Sequence, residues 1–351
     1  MKLTTGIALA ATLIAPSMVQ ANNDLFNWYG SIRVELQSSK NGEIEYKDNY
    51  SRVGAYGSTE ISEGLKVNYN YEIRLKTDTH VFGGDYSNRL ANIGLEGDFG
   101  SVLIGKQYAP IWNYTDNAID IFADIDESAG CTGDAICHTH RFGLYGNDAA
   151  GNGHYVEVLR PDRAITYTTP KFGGFDGALM VIFNDGDVKA NASGDKAEDI
   201  VGYNAAAKYV MGDFTFSVSR FDVTAFVGEN KVDSFQVAYN KDKLSLAAHY
   251  QKSNDMRFYA GLNPAGEIVE EDVYEVYVGY KLDKVQLQAT YAIVSMDSPS
   301  NVEVDTNQVV LDVIYPHKHG SFYIEYSAWG DEAEAVFAAD DTLSVGMRFD
   351  F

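Results

Sequence analysis

Apolar and polar side chains alternate with a period of two along much of this chain. From 65 to 75 the apolar set is Leu65, Val67, Tyr69, Tyr71, Ile73 and Leu75, and Lys66, Asn68, Asn70, Glu72 and Arg74 fall between them. The same design recurs at Ile32, Val34 and Leu36, at Leu244, Leu246, Ala248 and Tyr250, and at Val285, Leu287, Ala289, Tyr291 and Ile293. It returns at Val309, Leu311, Val313 and Tyr315, at Phe322, Ile324, Tyr326 and Ala328, and in the final run Leu343, Val345, Met347, Phe349 and Phe351. Strict alternation predicts strands with one apolar and one wet face. Two segments, 88–95 and 177–183, alternate poorly, and the second reads as a wall in contact with other protein.

The connections alternate too. Short polar turns near 57–63, 97–100, 171–176, 211–213, 240–243, 282–284 and 316–320 are interleaved with longer links at 38–49, 77–87, 107–159, 184–199, 222–231, 253–272, 295–305 and 330–341. Short turns at one end and long loops at the other are the pattern of an up-and-down transmembrane barrel. The segments number about sixteen, an even count within the range of such barrels. The expected fold is therefore all-β: an antiparallel barrel in one domain, 22–351, with lipid outside and water inside. A closed barrel also removes the exposed edges that an open sheet of this many strands would leave.

The ends and the composition fit this picture. Residues 1–21 carry Lys2, an apolar centre from Ile7 to Ala15 and a small-residue ending, Val19-Gln20-Ala21. They read as a secretory signal peptide, too short in its apolar part for a spanning helix. The mean hydropathy of -0.22 is what a barrel gives when lipid-facing and lumen-facing residues cancel. The 24 Tyr and 18 Phe suit aromatic girdles at two interfaces. A net charge of -23 excludes a nucleic-acid partner, which needs basic patches.

The link 107–159 is much longer than the others, and loops of that length are usually functional or disordered. It contains Asp116, Asp120, Asp124, Asp126, Glu127 and Asp134, together with Cys131, Cys137, His138, His140 and His154. Three readings compete: a loop folded inward to narrow the lumen, a zinc site, and paired carboxylates for catalysis. The cysteine and histidine spacing matches no common zinc pattern. An even cysteine count in an exported chain favours a Cys131–Cys137 disulfide over metal. A carboxylate pair for glycoside hydrolysis needs a defined separation that spacing does not supply.

The chain resembles the general diffusion porins of Gram-negative outer membranes. The likeness is carried by S-R-V-G-A-Y-G-S-T-E from Ser51 and N-R-L-A-N-I-G-L-E-G-D-F-G-S-V-L-I-G-K-Q-Y-A-P from Asn88. Y-T-D at Tyr114–Asp116, A-I-T-Y-T-T-P-K-F at Ala164–Phe172 and the terminal Phe351 extend it. The family's inward third-loop motif P-E-F-G-G is replaced by Ile119-Asp120-Ile121-Phe122-Ala123. The resemblance implies a trimeric, cofactor-free channel in the outer membrane that passes small hydrophilic solutes and ions without making or breaking bonds. By position it implies an eyelet with Arg52, Arg89 and Arg160 on the wall and Asp116 and Asp120 on the loop. Parity independently puts Arg33 on the lumen side of the first strand and sets Arg160 in phase with Ala164 and Thr166. The acidic excess points to a mild cation preference. The alternative is a substrate-specific porin, for example for an oligosaccharide, using Tyr108, Trp112 and Tyr114 to stack on sugar rings.

Overall fold

A computed structural model of the chain describes residues 25–40, 42, 44–78, 87–118, 144–189, 198–255, 268–297, 303–330 and 341–351. Residues 1–21, Asp120, Cys131 and Cys137 lie outside the described residues. The barrel begins with β1 (Asn27–Ser39), β2 (Ile44–Asp48), β3 (Arg52–Ser62), β4 (Leu65–Arg74), β5 (Asn88–Gly97) and β6 (Gly100–Lys106). The long link then supplies a short helix, α1 (Pro110–Tyr114), a 3-10 turn (Asp116–Ala118) and a hairpin of β7 (Leu144–Asn147) and β8 (Gly153–Val156). The wall resumes with β9 (Ala164–Thr168), β10 (Phe175–Phe183), β11 (Ile200–Met211), β12 (Phe214–Asp222), β13 (Lys231–Lys241) and β14 (Leu244–Asp255). It ends with β15 (Val269–Lys281), β16 (Gln286–Asp297), β17 (Glu303–His317), β18 (Gly320–Trp329) and β19 (Thr342–Asp350).

Each strand pairs antiparallel with its neighbours, and β19 returns to β1 with Ile32 opposite Phe349 and Leu36 opposite Val345. β2 and β3 pair with different halves of β1 and act as one interrupted strand. Among the described residues the wall is thus a closed ring of sixteen antiparallel strands. Here the structure departs from the expected link at 38–49. β1 runs to Ser39 and β2 starts at Ile44, so little loop remains. The segment 44–48 gives only a weak strand signal, because Glu45, Lys47 and Asp48 make it mostly polar.

Parity sorts the faces as the alternation predicts. Ile32, Leu36, Val276, Leu311, Ile324, Leu343 and Val345 are exposed outward, while Glu35, Gln37, Gln288, Thr290, Ser327 and Ser344 are buried inward. Two stretches among the described residues put apolar side chains inward: a cluster of Val269, Val273, Val294, Met296 and Val304 on β15–β17, and a larger one from β10 to β13. In the larger one, Met180, Ile182, Val201, Phe221 and Val232 point inward and pack with Ala109 just before α1, Ile111 of α1, Leu144 of the hairpin, and Val158. This is why 177–183 alternates poorly: both of its faces are apolar, one toward lipid and one toward the docked loop.

The seam is made by the last residue. Gly30 N donates to the Phe351 carbonyl at 2.9 Å, and Phe351 N donates to the Gly30 carbonyl at 3.0 Å. The Phe351 ring lies so close that a Cβ at Gly30 would meet its Cζ at 2.3 Å. Gly30→Leu is expected to displace that ring and cost about 1–3 kcal/mol by overpacking. A lower temperature for loss of the compact, fast-migrating form on detergent gels checks this.

Candidate pore constriction

Five wall strands bring arginines to one inner patch. Arg33 of β1 lies opposite Arg348 of β19, Arg52 of β3 lies opposite Arg74 of β4, and Arg89 of β5 stands next to them. All but Arg348 are buried. Like charges placed so close need compensation. Glu72 supplies part of it, accepting from Arg89 Nε at 2.7 Å with both side chains 6% exposed. Asp350 supplies another part, accepting from Arg348 Nε at 2.8 and 2.9 Å. Arg33 Nε donates to Ser31 Oγ at 2.9 Å. Among the described residues, neither Arg33 nor Arg52 has an ion-pair partner, so this wall keeps positive charge.

The start of the long link closes over this patch. Arg89 Nη2 donates to the Tyr108 hydroxyl at 3.2 Å, and the Arg160 guanidinium lies 5.7 Å from the Tyr108 ring centre. Burial raises the Tyr108 phenol, but the charges of Arg89, Arg160 and Arg52 outweigh it and hold the group below its ordinary value. Arg160 is not on a strand. It sits in the return from the hairpin, where Glu157 accepts from it at 3.3 Å and also pairs with Lys106. A cavity of about 310 Å³ lies between Tyr29, Tyr56, Tyr108 and the guanidiniums of Arg33, Arg52 and Arg348.

Asp116 faces elsewhere. It is fully buried, with Thr115 Oγ1 at 2.9 Å, Ser234 Oγ at 3.4 Å and His249 Nε2 at 3.5 Å from its Oδ1. Its neighbours are tied to the same inner wall: Ile111 N donates to Asn204 Oδ1 at 2.7 Å, and Gln236 Nε2 donates to the Thr115 carbonyl. The expectation of Asp116 as a carboxylate opposed to the arginines is corrected by these contacts. It fastens the loop to β13 and β14, because a buried carboxylate goes where donors meet it. Glu72 and Asp350, on the wall itself, stand beside the arginines instead. Arg74, Arg348 and Glu72 were not among the expected site residues, although alternation already put Arg74 and Glu72 on the wet face of β4 and Arg348 between apolar residues of β19.

The far end of the loop is held by Asp148. Its Oδ1 accepts from the amides of Ala150 and Asn152, each at 2.9 Å, and its Oδ2 accepts from the Lys189 amide at 2.8 Å. His154 Nε2 lies 3.0 Å from Oδ2. The hairpin is thereby tied to the segment after β10. A further bond from Val227 N to the Asn147 carbonyl at 2.7 Å ties it to the segment after β12.

A family model described as Gram-negative porin matches residues 3–348. The chain belongs to the Gram-negative porin family. This porin is a protein of the Gram-negative outer membrane. It is similar to the major outer membrane protein of Pasteurella multocida, 24% identical over 371 residues and 99% of each chain. It is also 24% identical over 200 residues to the outer membrane porin protein 32 of Delftia acidovorans, covering 57% of this chain and half of that one. Among solved structures, OmpF of Salmonella typhi in complex with daunomycin superposes with a TM-score of 0.71 at 17% identity, covering 93% of this chain and 97% of that one. An anion-selective porin from Comamonas acidovorans gives 0.69 at 16% identity, covering 93% and 99%.

Two outcomes follow from the contacts. Glu72→Gln leaves Arg89 buried without its carboxylate and is expected to cost about 3–5 kcal/mol of stability, read as a lower denaturant midpoint in detergent. Desolvation raises the Asp148 carboxyl, but its hydrogen bonds from Asn152, Lys189 and His154 hold it well below the usual carboxylate range. A depressed native value means that its contribution is fully present above roughly pH 4 and is lost only as pH falls through that lower value. Amide exchange at Lys189 and Asn152 should stay protected at pH 3 in the native protein and lose protection at every pH in Asp148→Ala.

Proposed function

We propose that this porin is a water-filled channel through which small hydrophilic solutes and ions diffuse down their gradients, with no bond made or broken. The single observation that supports this most is the buried arginine patch of Arg33, Arg52 and Arg89 under Tyr108 and Arg160, inside a wall whose inner face also carries many amide, hydroxyl and carboxylate side chains. Such a patch narrows and polarises a passage: it orders water and orients dipoles, which favours polar solutes over apolar ones. Lumen-side carboxylates at Glu35, Glu72, Glu271, Glu275, Asp312, Glu325 and Asp350 outnumber the arginines. With the acidic loops they favour a mild preference for cations that salt weakens.

The aromatic residues at the loop's start speak for packing. Trp112 and Tyr114 are buried, and the Tyr108 and Trp112 rings stack on each other at 5.8 Å. The sugar-specific reading is therefore the weaker one. The unit we assign is a homotrimer, in keeping with a solved trimer form of OmpT from Vibrio cholerae, which the chain matches with a TM-score of 0.64.

Reversal potentials across a planar bilayer with unequal KCl are the test. The expected result is a modest excess of potassium over chloride permeability, and clear chloride preference rejects it. Replacing Arg52, Arg89 and Arg160 with glutamine should raise single-channel conductance and strengthen the cation preference. Unchanged conductance and selectivity would remove these residues from the constriction.

A further inference from the structure

The interruption between β2 and β3 is a one-residue insertion with consequences for the arginines. Val34 of β1 pairs with Asp48, and Ser31 pairs with Arg52. Two residues of β1, Ile32 and Arg33, therefore oppose three residues, Asn49, Tyr50 and Ser51. That is the count of a β-bulge. Before it, Lys47 opposes the inward Glu35 and Tyr46 opposes the outward Leu36. If alternation ran on unbroken, Arg52 would point into lipid. The extra residue reverses the phase, and Arg52 comes in opposite Ser31 while Val53 goes out opposite Gly30.

The bulge is built at visible cost. Tyr50 has φ of 60°, in the left-handed region that side chains other than those of Gly, Asn and Asp seldom adopt. Strain of this kind survives only where surrounding contacts over-determine it. Here they do. Asn49 N donates to the Arg33 carbonyl at 3.1 Å, Ser51 Oγ accepts from Arg33 N at 2.9 Å, and Ser51 N donates to Asp48 Oδ1 at 3.1 Å. The Asn49 side chain reaches across the inner wall to Glu35 Oε2 at 3.1 Å and the Tyr323 hydroxyl at 2.9 Å. Tyr50 itself is 8% exposed, and its ring centre lies 4.0 Å from the Arg74 guanidinium and 5.5 Å from that of Arg89.

We propose that Tyr50 is a specificity-determining positioning residue of the pore: the bulge turns its ring inward as a platform that holds the guanidiniums of Arg74 and Arg89 back against the wall. This rests on the channel reading above. A ring face attracts a cation and gives a stacked guanidinium a fixed plane. The contact weights the held arrangement by roughly two- to thirty-fold, from the usual strength of a cation–π pair. Two guanidiniums kept on the wall leave the bore wider and less positive than two guanidiniums leaning into it.

The test uses the full-length protein in planar bilayers with unequal KCl. Tyr50→Gly removes the ring and suits the left-handed backbone, so the barrel keeps its route to folding. Tyr50→Phe keeps the ring. The compact form on detergent gels verifies assembly of each variant. Tyr50→Gly should lower single-channel conductance and shift the permeability ratio toward chloride, and Tyr50→Phe should behave as the native protein. The shift should shrink when Tyr50→Gly is made in an Arg74→Gln background. Native selectivity in Tyr50→Gly, a shift toward potassium, or an undiminished shift without Arg74 each overturns the proposal. A native protein that carries no current overturns the channel reading instead, so the two failures are told apart.

Discussion

A chain that sits in hydrocarbon has no water to satisfy its backbone, and this constraint governs the molecule. Every peptide group of the wall must bond to a neighbouring strand, so the sheet must close. The closing pairs are made by the first and last strands, which are the most distant in sequence, and the final residue bonds to Gly30. Once the ring is closed, period-two alternation puts one set of side chains in lipid and the other inside.

The inside is not uniform, and its differences place the site. From β10 to β13 the inner wall carries apolar side chains, and α1 and the hairpin dock there by ordinary hydrophobic burial. Polar ties at Asn204, Ser234 and Gln236 fix where along the wall the loop lands. The arginines occupy the other side, on β1, β3, β4, β5 and β19. Tyr108 leads from one region to the other, so the loop's greasy anchor and the charged patch are parts of one arrangement.

Charge in this patch is handled by geometry more than by pairing. Glu72 and Asp350 neutralise one arginine each, and tyrosine rings and hydroxyls take up much of the rest. Guanidiniums tolerate this because they are planar, weakly hydrated and able to stack. Lysines at the same positions would offer compact, strongly hydrated charges with no face to place on Tyr50 or Tyr108.

Much of this was legible in the residues alone. Alternation gave the strands, the spacing of turns gave their number, and parity put Arg33 inside, because strand geometry is local and its period is fixed. The family motifs pointed to Arg52 and Arg89. What sequence could not give were contacts between distant segments. Asp116 looked like an eyelet carboxylate until Ser234 and His249, more than a hundred positions away, claimed it. Arg348 lay in plain alternation, but only closure of β19 on β1 put it opposite Arg33. The phase of Arg52 was set by a single inserted residue among 48–52, five consecutive buried positions with no alternation to read. Pattern decides what each strand presents to its two sides; only the closed ring decides which of those side chains meet.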